Sequence, residues 1–363
     1  MRKFFRVIMI ILNIVVAVSL ILACLCSFVN PKEIWWIGFF GVAYMYLLTA
    51  NLCFLAYWLL STNKKLIMVS LVSFLIGWPF IGRNIQFSPK EIAKEDVNKS
   101  VKVLSYNVQG FVQMHPKSSD GKELNRFDFF HQNNDADIIC MQEFVPGHWD
   151  KDLNEKNIRK QFSKTPYFQI ELPAGTSGLA TFSKYPIIRK KLIFSDNTTN
   201  ACMFCDLLIG ADTVRVYNVH LKSVGFGEDE RELLNNAVKK EYSGSDLRTV
   251  KTIIRQMKNA SYSRAEQVEI LSSHVAQSPY PVIICGDFND PPMSHSYQKV
   301  RSNLKDAFME AGSGRSTTYD IGRISSQRID YILYSDFFKA SDYASPRVNL
   351  SDHFPIMCRL VKQ

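Results

Sequence analysis

The sequence predicts an α/β domain of mixed strands and helices carried behind an N-terminal membrane region. Three observations predict it. Uncharged apolar runs crowd into the first 83 residues. Beyond residue 100, short apolar runs bounded by turn residues alternate with stretches of helical periodicity. The 263 residues from 101 to 363 are ample for one sizeable core, with no internal repeat or low-complexity segment.

The elements follow in order. Residues 7–29, VIMIILNIVVAVSLILACLCSFV, carry no charge and are long enough to cross a hydrocarbon core. Residues 34–60 form a second such run and 66–82 a shorter third, whose Gly77, Trp78 and Pro79 suit a helix that kinks near an interface. A cleaved leader is the competing reading of the first run, but it lacks a clear small-x-small cleavage site, and two more apolar runs follow. Without intramembrane charge, a transporter finds no support.

Lys/Arg in the short flanks set orientation. Arg2, Lys3 and Arg6 precede the first span, Lys64 and Lys65 separate the second and third, and the intervening loop offers only Lys32 beside Glu33. The N-terminus is expected inside, and the remainder on the extracytoplasmic side of a cell or inner membrane. Arg83, Lys90, Lys94 and Lys99 oppose this by following the last span. With a third run that does not cross, the domain lies in the cytoplasm instead.

Residues 84–100 are polar and mixed in charge, as suits a short tether. Strands are expected at VKVLSYNV, ADIICMQE, GLATFSKYPII, TVRVYNVHL, PVIICGDF, QRIDYILY and HFPIMCRL, several apolar on both faces and therefore buried. Helices are expected near 123–134, 228–240 and 245–276. Residues 1–99 hold ten Lys/Arg against four Asp/Glu, and the remainder 33 against 30. That second excess is too mild to announce a nucleic-acid binder by charge alone. Cys202 and Cys205 have redox-pair or half-zinc spacing, yet no second pair follows, so core packing is expected.

Almost every strand-like run ends at a residue that binds metals or moves protons. Asn107, Glu143 and His220 end three of them, and Asp287 and Asn289 follow a fourth. Asp330 lies in a fifth, and Asp352-His353 opens the last. Singly, each has a capping or structural explanation. Together they describe one polar rim on rigid strands.

The ordered series SYNVQG, MQE, GLATFSKYPI, NVHL, GDFND, RIDYI and SDHFPI resembles the endonuclease/exonuclease/phosphatase superfamily over residues 101–361. The resemblance implies a four-layer α/β sandwich, DNase I-like, with two packed mixed sheets flanked by helices. It also implies hydrolysis of phosphate esters with a divalent metal, Mg2+ or, in its place, Mn2+. The expected division is a membrane region at 1–83, a tether at 84–100 and a catalytic domain at 101–363.

Phosphoester hydrolysis needs a cation on the phosphate oxygens, an activated water and a donor for developing charge. Glu143 is the expected principal metal ligand, with Asn107 beside it and Asp352 as a second carboxylate near the metal. Asp287 is the expected general base, with Asn289 placed on the same face if the strand continues through both. His353, paired with Asp330, would donate to the scissile phosphate. The His220 of NVHL resembles that of the DNase I, sphingomyelinase and inositol-phosphatase branches, and would protonate the leaving oxygen. Its carboxylate partner is not evident, Glu171 being one candidate. Arg264 either reaches the substrate or is a surface-helix arginine.

The expected partners are the lipid bilayer and a phosphate ester, whether nucleic acid, phospholipid head group or sugar phosphate, with no protein partner. Residues 222–262 read as a helical insertion that lines a substrate groove or forms a solvated face. A non-catalytic binding module that keeps the fold is the alternative from another class.

Overall fold

The structure is a computed structural model that describes residues 2–61, 64–111, 135–146, 160, 162–173, 175–196, 198–225, 246–315, 317–319, 327–348 and 350–363. The expected helices at 123–134 and 228–240 lie outside the described residues. After the N-terminal helices the chain builds two six-stranded sheets. The first runs β11-β12-β1-β2-β4-β3, from β1 (Ser100–Asn107), β2 (Ile138–Phe144), β3 (Tyr167–Glu171), β4 (Gly178–Ser183), β11 (Phe338–Ala344) and β12 (Ile356–Lys362). The second runs β5-β6-β7-β8-β10-β9, from β5 (Ile187–Ser195), β6 (Ala201–Ile209), β7 (Asp212–His220), β8 (Val282–Asp287), β9 (Lys305–Asp306) and β10 (Asp330–Tyr334). Each sheet centres on one parallel pair, β1/β2 and β7/β8.

Alternation along the strands sends one set of side chains between the sheets and the other outward. Val103, Cys140 and Cys358 of the first sheet meet Val216, Cys285 and Ile332 of the second in one apolar core. On the outer face of the second sheet, Tyr217, Ile284 and Leu333 pack under Val268 and Leu271 of a long helix (Asp246–Ala276) and Tyr297 of a shorter one (His295–Arg301). This is the expected sandwich of two mixed sheets with flanking helices. Cys202 and Cys205 are both buried in it, on different cores, as apolar packing requires.

One strand assignment differs from the sequence reading. GLATFSKYPII is two strands in different sheets: β4 ends at Ser183, whose hydroxyl accepts from the Tyr185 N–H, and the chain crosses at Pro186 to begin β5. ICGDF owes its glycine to a neighbouring strand: a Cβ on Gly286 would lie 1.9 Å from the Val219 carbonyl oxygen of β7. The glycine closes the parallel pair that carries His220 and Asp287.

The N-terminal helices pack as a bundle. Call them α1 (Arg2–Leu25), α2 (Gly38–Val42), α3 (Tyr44–Leu60) and α4 (Ile67–Gly77). Lys3–Leu25 and Lys64–Arg83 are each long and apolar enough to cross a membrane. The second apolar run does not form one straight span: α2 and α3 meet at Ala43 with a bend of 62°. Gly41 on α2 sits so close to Cys26 that a Cβ would meet its Sγ at 2.8 Å, which holds α2 across the end of α1. Small polar residues join the helices inside the bundle: Ser70 donates to Asn13 (2.7 Å) and Asn51 to Ser73 (2.6 Å).

The bundle is locked to the sandwich at one end. Met293 joins Leu20, Cys24, Tyr44 and Leu48 in an apolar cluster, and Ser27 donates to its carbonyl. Arg83 is buried there and donates to Ser27, the Pro292 carbonyl and Gln298, while its own carbonyl accepts from Arg328. Its charge is therefore spent on the junction and does not act as a free flanking charge. Residues 84–99 also run along the domain: Gln86 bridges Gly314, and Lys90 and Ile92 bond Asp342.

Candidate active site

Two parallel pairs pointing the same way bring the ends of β1, β2, β7 and β8 to one edge of the sandwich. Asn107, His220 and Asp287 end β1, β7 and β8, and Glu143 is the last residue but one of β2. β10 runs antiparallel to β8, so its first residue, Asp330, stands opposite Asp287. The turn before β12 supplies Asp352 and His353.

Asp287 is the hub and is fully buried. Its Oδ2 accepts from Asn107 Nδ2 at 3.0 Å, and lies 3.6 Å from the Nε2 of both His220 and His353. Its Oδ1 accepts from the Asn289 backbone N–H at 2.8 Å. That bond is a side-chain turn: β8 ends at Asp287, and Asn289 takes a left-handed conformation with φ 52°. The two residues thus share the site through the turn, not through a continued strand. Asn289 Nδ2 donates to the Leu221 carbonyl, tying the turn to β7.

His353 Nδ1 is 2.9 Å from Asp330 Oδ2. Burial opposes a charged imidazole, but the carboxylates of Asp330 and Asp287 outweigh it and raise the His353 pKa to about 10. The ring is therefore cationic at neutral pH. It packs at 4.7 Å against the Tyr319 ring, and Thr318 accepts from the Asp330 backbone N–H.

His220 is buried with Nδ1 3.1 Å from the Thr199 carbonyl, an acceptor that fixes the proton on Nδ1. Its Nε2 has no hydrogen-bond partner and lies 3.6 Å from Glu143 Oε1 as well as from Asp287. The carbonyl does the work expected of a carboxylate. Glu171 is not that partner, since Nδ1 faces the Thr199 carbonyl and Nε2 faces Glu143 and Asp287.

Glu143 sits on a β-bulge with φ 52°, its side chain 30% exposed at the mouth of the site. Asn107 turns its amide N–H2 to Glu143 (3.3 Å) and Asp287, while its oxygen accepts from the Gln109 N–H. It therefore bridges two carboxylates and does not aim an oxygen at a cation. Asp352 accepts from Gln109 Nε2, and burial raises its pKa, with Glu143 and Asp287 adding to the rise against His353. Arg264 is buried, pairs with Asp290 at 3.0 Å and donates to the Lys222 carbonyl. It braces the backbone behind Asn289 and His220; it is neither a surface arginine nor a contact of the Asp287 cluster.

The arrangement suits a hard cation. Glu143, Asp287, Asp330 and Asp352 face one cationic imidazole, and the carboxylates of Glu143 and Asp287 add to the rise that burial gives the Asp352 carboxyl. Asp287, Asp330 and His353 also lie with one polar atom each within 4.8 Å of one another, but a cationic His353 has no lone pair to offer a metal, which leaves the carboxylates as the ligands. Sequence reasoning missed Gln109, Thr318 and Tyr319. The first lay in the quoted SYNVQG, but only its turn, with φ 47° at Gln109, aims it at Asp352.

The model of the endonuclease/exonuclease/phosphatase family matches residues 104–353, and that of a domain of unknown function matches residues 2–84. No curated protein matches the chain. Among solved structures, truncated TDP2 of Caenorhabditis elegans is 20% identical, with 74% of this chain and 100% of that one covered and a TM-score of 0.46. An endonuclease/exonuclease/phosphatase from Beutenbergia cavernae is 15% identical, covering 73% and 72% at a TM-score of 0.47. A family protein from Bacteroides thetaiotaomicron is 18% identical, covering 73% and 95% at 0.46.

Proposed function

The chain belongs to the endonuclease/exonuclease/phosphatase family, and from that premise we propose a membrane-anchored, magnesium-dependent phosphoesterase whose catalytic domain faces away from the N-terminus. Its membership makes it a divalent-metal-dependent hydrolase of phosphate esters. The observation that supports the residue roles is the convergence of Asn107, His220 and His353 on one buried carboxylate oxygen of Asp287.

Glu143 and Asp352 would hold the cation, because magnesium takes hard oxygen ligands and keeps several waters. A cation held there would supply the charge that polarises the phosphoryl oxygens and offsets their own. Asp287 takes a proton from the attacking water as oxygen adds to phosphorus, and Asn289 and Asn107 keep its carboxylate in place. Cationic His353 donates to a non-bridging phosphoryl oxygen. The bond from phosphorus to the leaving alcohol breaks, and His220 in its charged form gives that oxygen a proton from Nε2. Arg264 positions the Asn289 turn.

A panel of bis-(p-nitrophenyl) phosphate, nucleic acid, sphingomyelin and inositol phosphates tests the activity. Hydrolysis of at least one, with magnesium or manganese and not with chelator, is expected. Full turnover by demonstrably metal-free protein would sink the mechanism.

Sidedness follows from the Lys/Arg flanks and from three crossings. Arg2, Lys3, Arg6, Lys64 and Lys65 lie at one end of the bundle, and the Tyr44–Gly77 hydrogen bond and Met293 at the other. Protease added to intact cells should reach the catalytic domain. Protection of that domain, with an outside control degraded, would argue for two crossings and a cytoplasmic enzyme.

A further inference from the structure

A crevice of about 600 Å3, counting its open mouth, lies between the bundle and the catalytic domain. One wall is apolar and comes from the bundle: Val29, Trp35, Phe39 and Val42. Met257 and Ser261 of the long helix and Pro291 form the other. At its inner end are Arg264 and Asp290, the ion pair directly behind Asn289. The crevice thus runs from the apolar flank of the bundle to within one residue of the catalytic turn.

We propose that this crevice holds an acyl chain of a lipid phosphate ester while its phosphate sits at the Asp287 cluster; the inference rests on the phosphoesterase reading above and names its substrate class. Three observations favour a lipid over other occupants. Trp36, Phe39 and Val42 are 45%, 39% and 40% exposed, so the mouth opens onto the same apolar, aromatic flank that would meet the bilayer. Lys258 sits 5.7 Å from the Trp35 ring of the apolar wall, while Lys32 is paired with Glu266. The Lys258 ammonium beside that wall can attract an anionic head group. The wall also has room, since a Cβ on Gly38 would meet no heavy atom within 4 Å.

Gly38 supplies the test. It lies on α2 with helical dihedrals, so a large side chain there fills the crevice without backbone strain. Full-length protein in phosphatidylcholine vesicles is assayed on alkyl p-nitrophenyl phosphates from methyl to dodecyl. In parallel, a dodecyl phosphodiester with a terminal diazirine is photolysed and its adducts mapped. Each methylene buried is worth about fourfold in affinity, so kcat/KM should rise at least about tenfold along the series, with adducts in the crevice.

Gly38→Trp should abolish the rise and the adducts while methyl p-nitrophenyl phosphate is hydrolysed as before. Ser261→Trp, from the opposite wall, should do the same should the first variant not fold. Partitioning into vesicles is identical for wild type and variant, so a rise that survives both substitutions overturns the proposal. So do adducts confined to the outer apolar flank. Crevice adducts without hydrolysis of any ester would instead overturn the phosphoesterase reading and leave the lipid site standing. Hydrolysis of the methyl ester with no chain-length rise overturns the lipid site alone.

Discussion

Glu143→Gln is expected to lower kcat/KM on a phosphodiester by at least about 10³-fold at saturating magnesium, the scale of losing one preorganised electrostatic contact to the transition state. The substitution keeps the shape and removes the charge. An amide oxygen at this position still accepts from Asn107, so the 3.3 Å contact survives. The side chain is also 30% exposed, so no buried charge is left without a partner. The melting temperature should therefore stay within a few degrees of wild type. A variant that is stable and nearly as active would remove Glu143 from the metal and make it a rim residue.

His353→Ala should cost about 10²–10⁴-fold on every phosphodiester, because charge on the phosphoryl oxygens develops whatever the leaving group. His220→Ala should instead discriminate. An alkoxide needs a proton to depart and a nitrophenolate does not, so the loss should be far larger on an alkyl ester. Equal losses on both would leave His220 a positioning residue.

Asp330→Asn separates charge from geometry. Below its pKa His353 is cationic and active, and activity is lost as pH rises through about 10. Removing the Asp330 carboxylate lowers that pKa, so the alkaline limb of the pH–rate profile should move toward neutrality. A limb that does not move assigns it to another group.

Much of the candidate site was legible because its acids and histidines end apolar strands one after another, a repetition that capping explains singly but not together. Glu143 after ADIICMQ and Asp287 after PVIICG are of that kind. Gln109, Thr318 and Tyr319 gave no such signal: they reach the site through turns and long-range pairing, and none ends an apolar run. Strand legibility divided in the same way. β6 is apolar but carried the distracting cysteine spacing, while β5 is an edge strand whose IIRKKLIFS exposes most of its charged middle. β11, FKASDYA, is too polar to stand out from loop. The bend at Ala43 was hidden because apolar composition continues through it; only packing of Gly41 on Cys26 breaks the run.

The buried Arg83 junction changes how this enzyme would search for its substrate. A free linker of residues 84–100 would let the domain wander by about 20–25 Å, tumbling as it went. With Arg83 holding Pro292, Gln298 and Arg328, and Gln86 and Lys90 pinned to the sandwich, that wandering is removed. With the bundle in a bilayer, as proposed, the catalytic mouth keeps one height and one tilt above the surface. Encounters then occur by lateral diffusion in two dimensions, and turnover should follow the surface density of substrate in the membrane more closely than its bulk concentration.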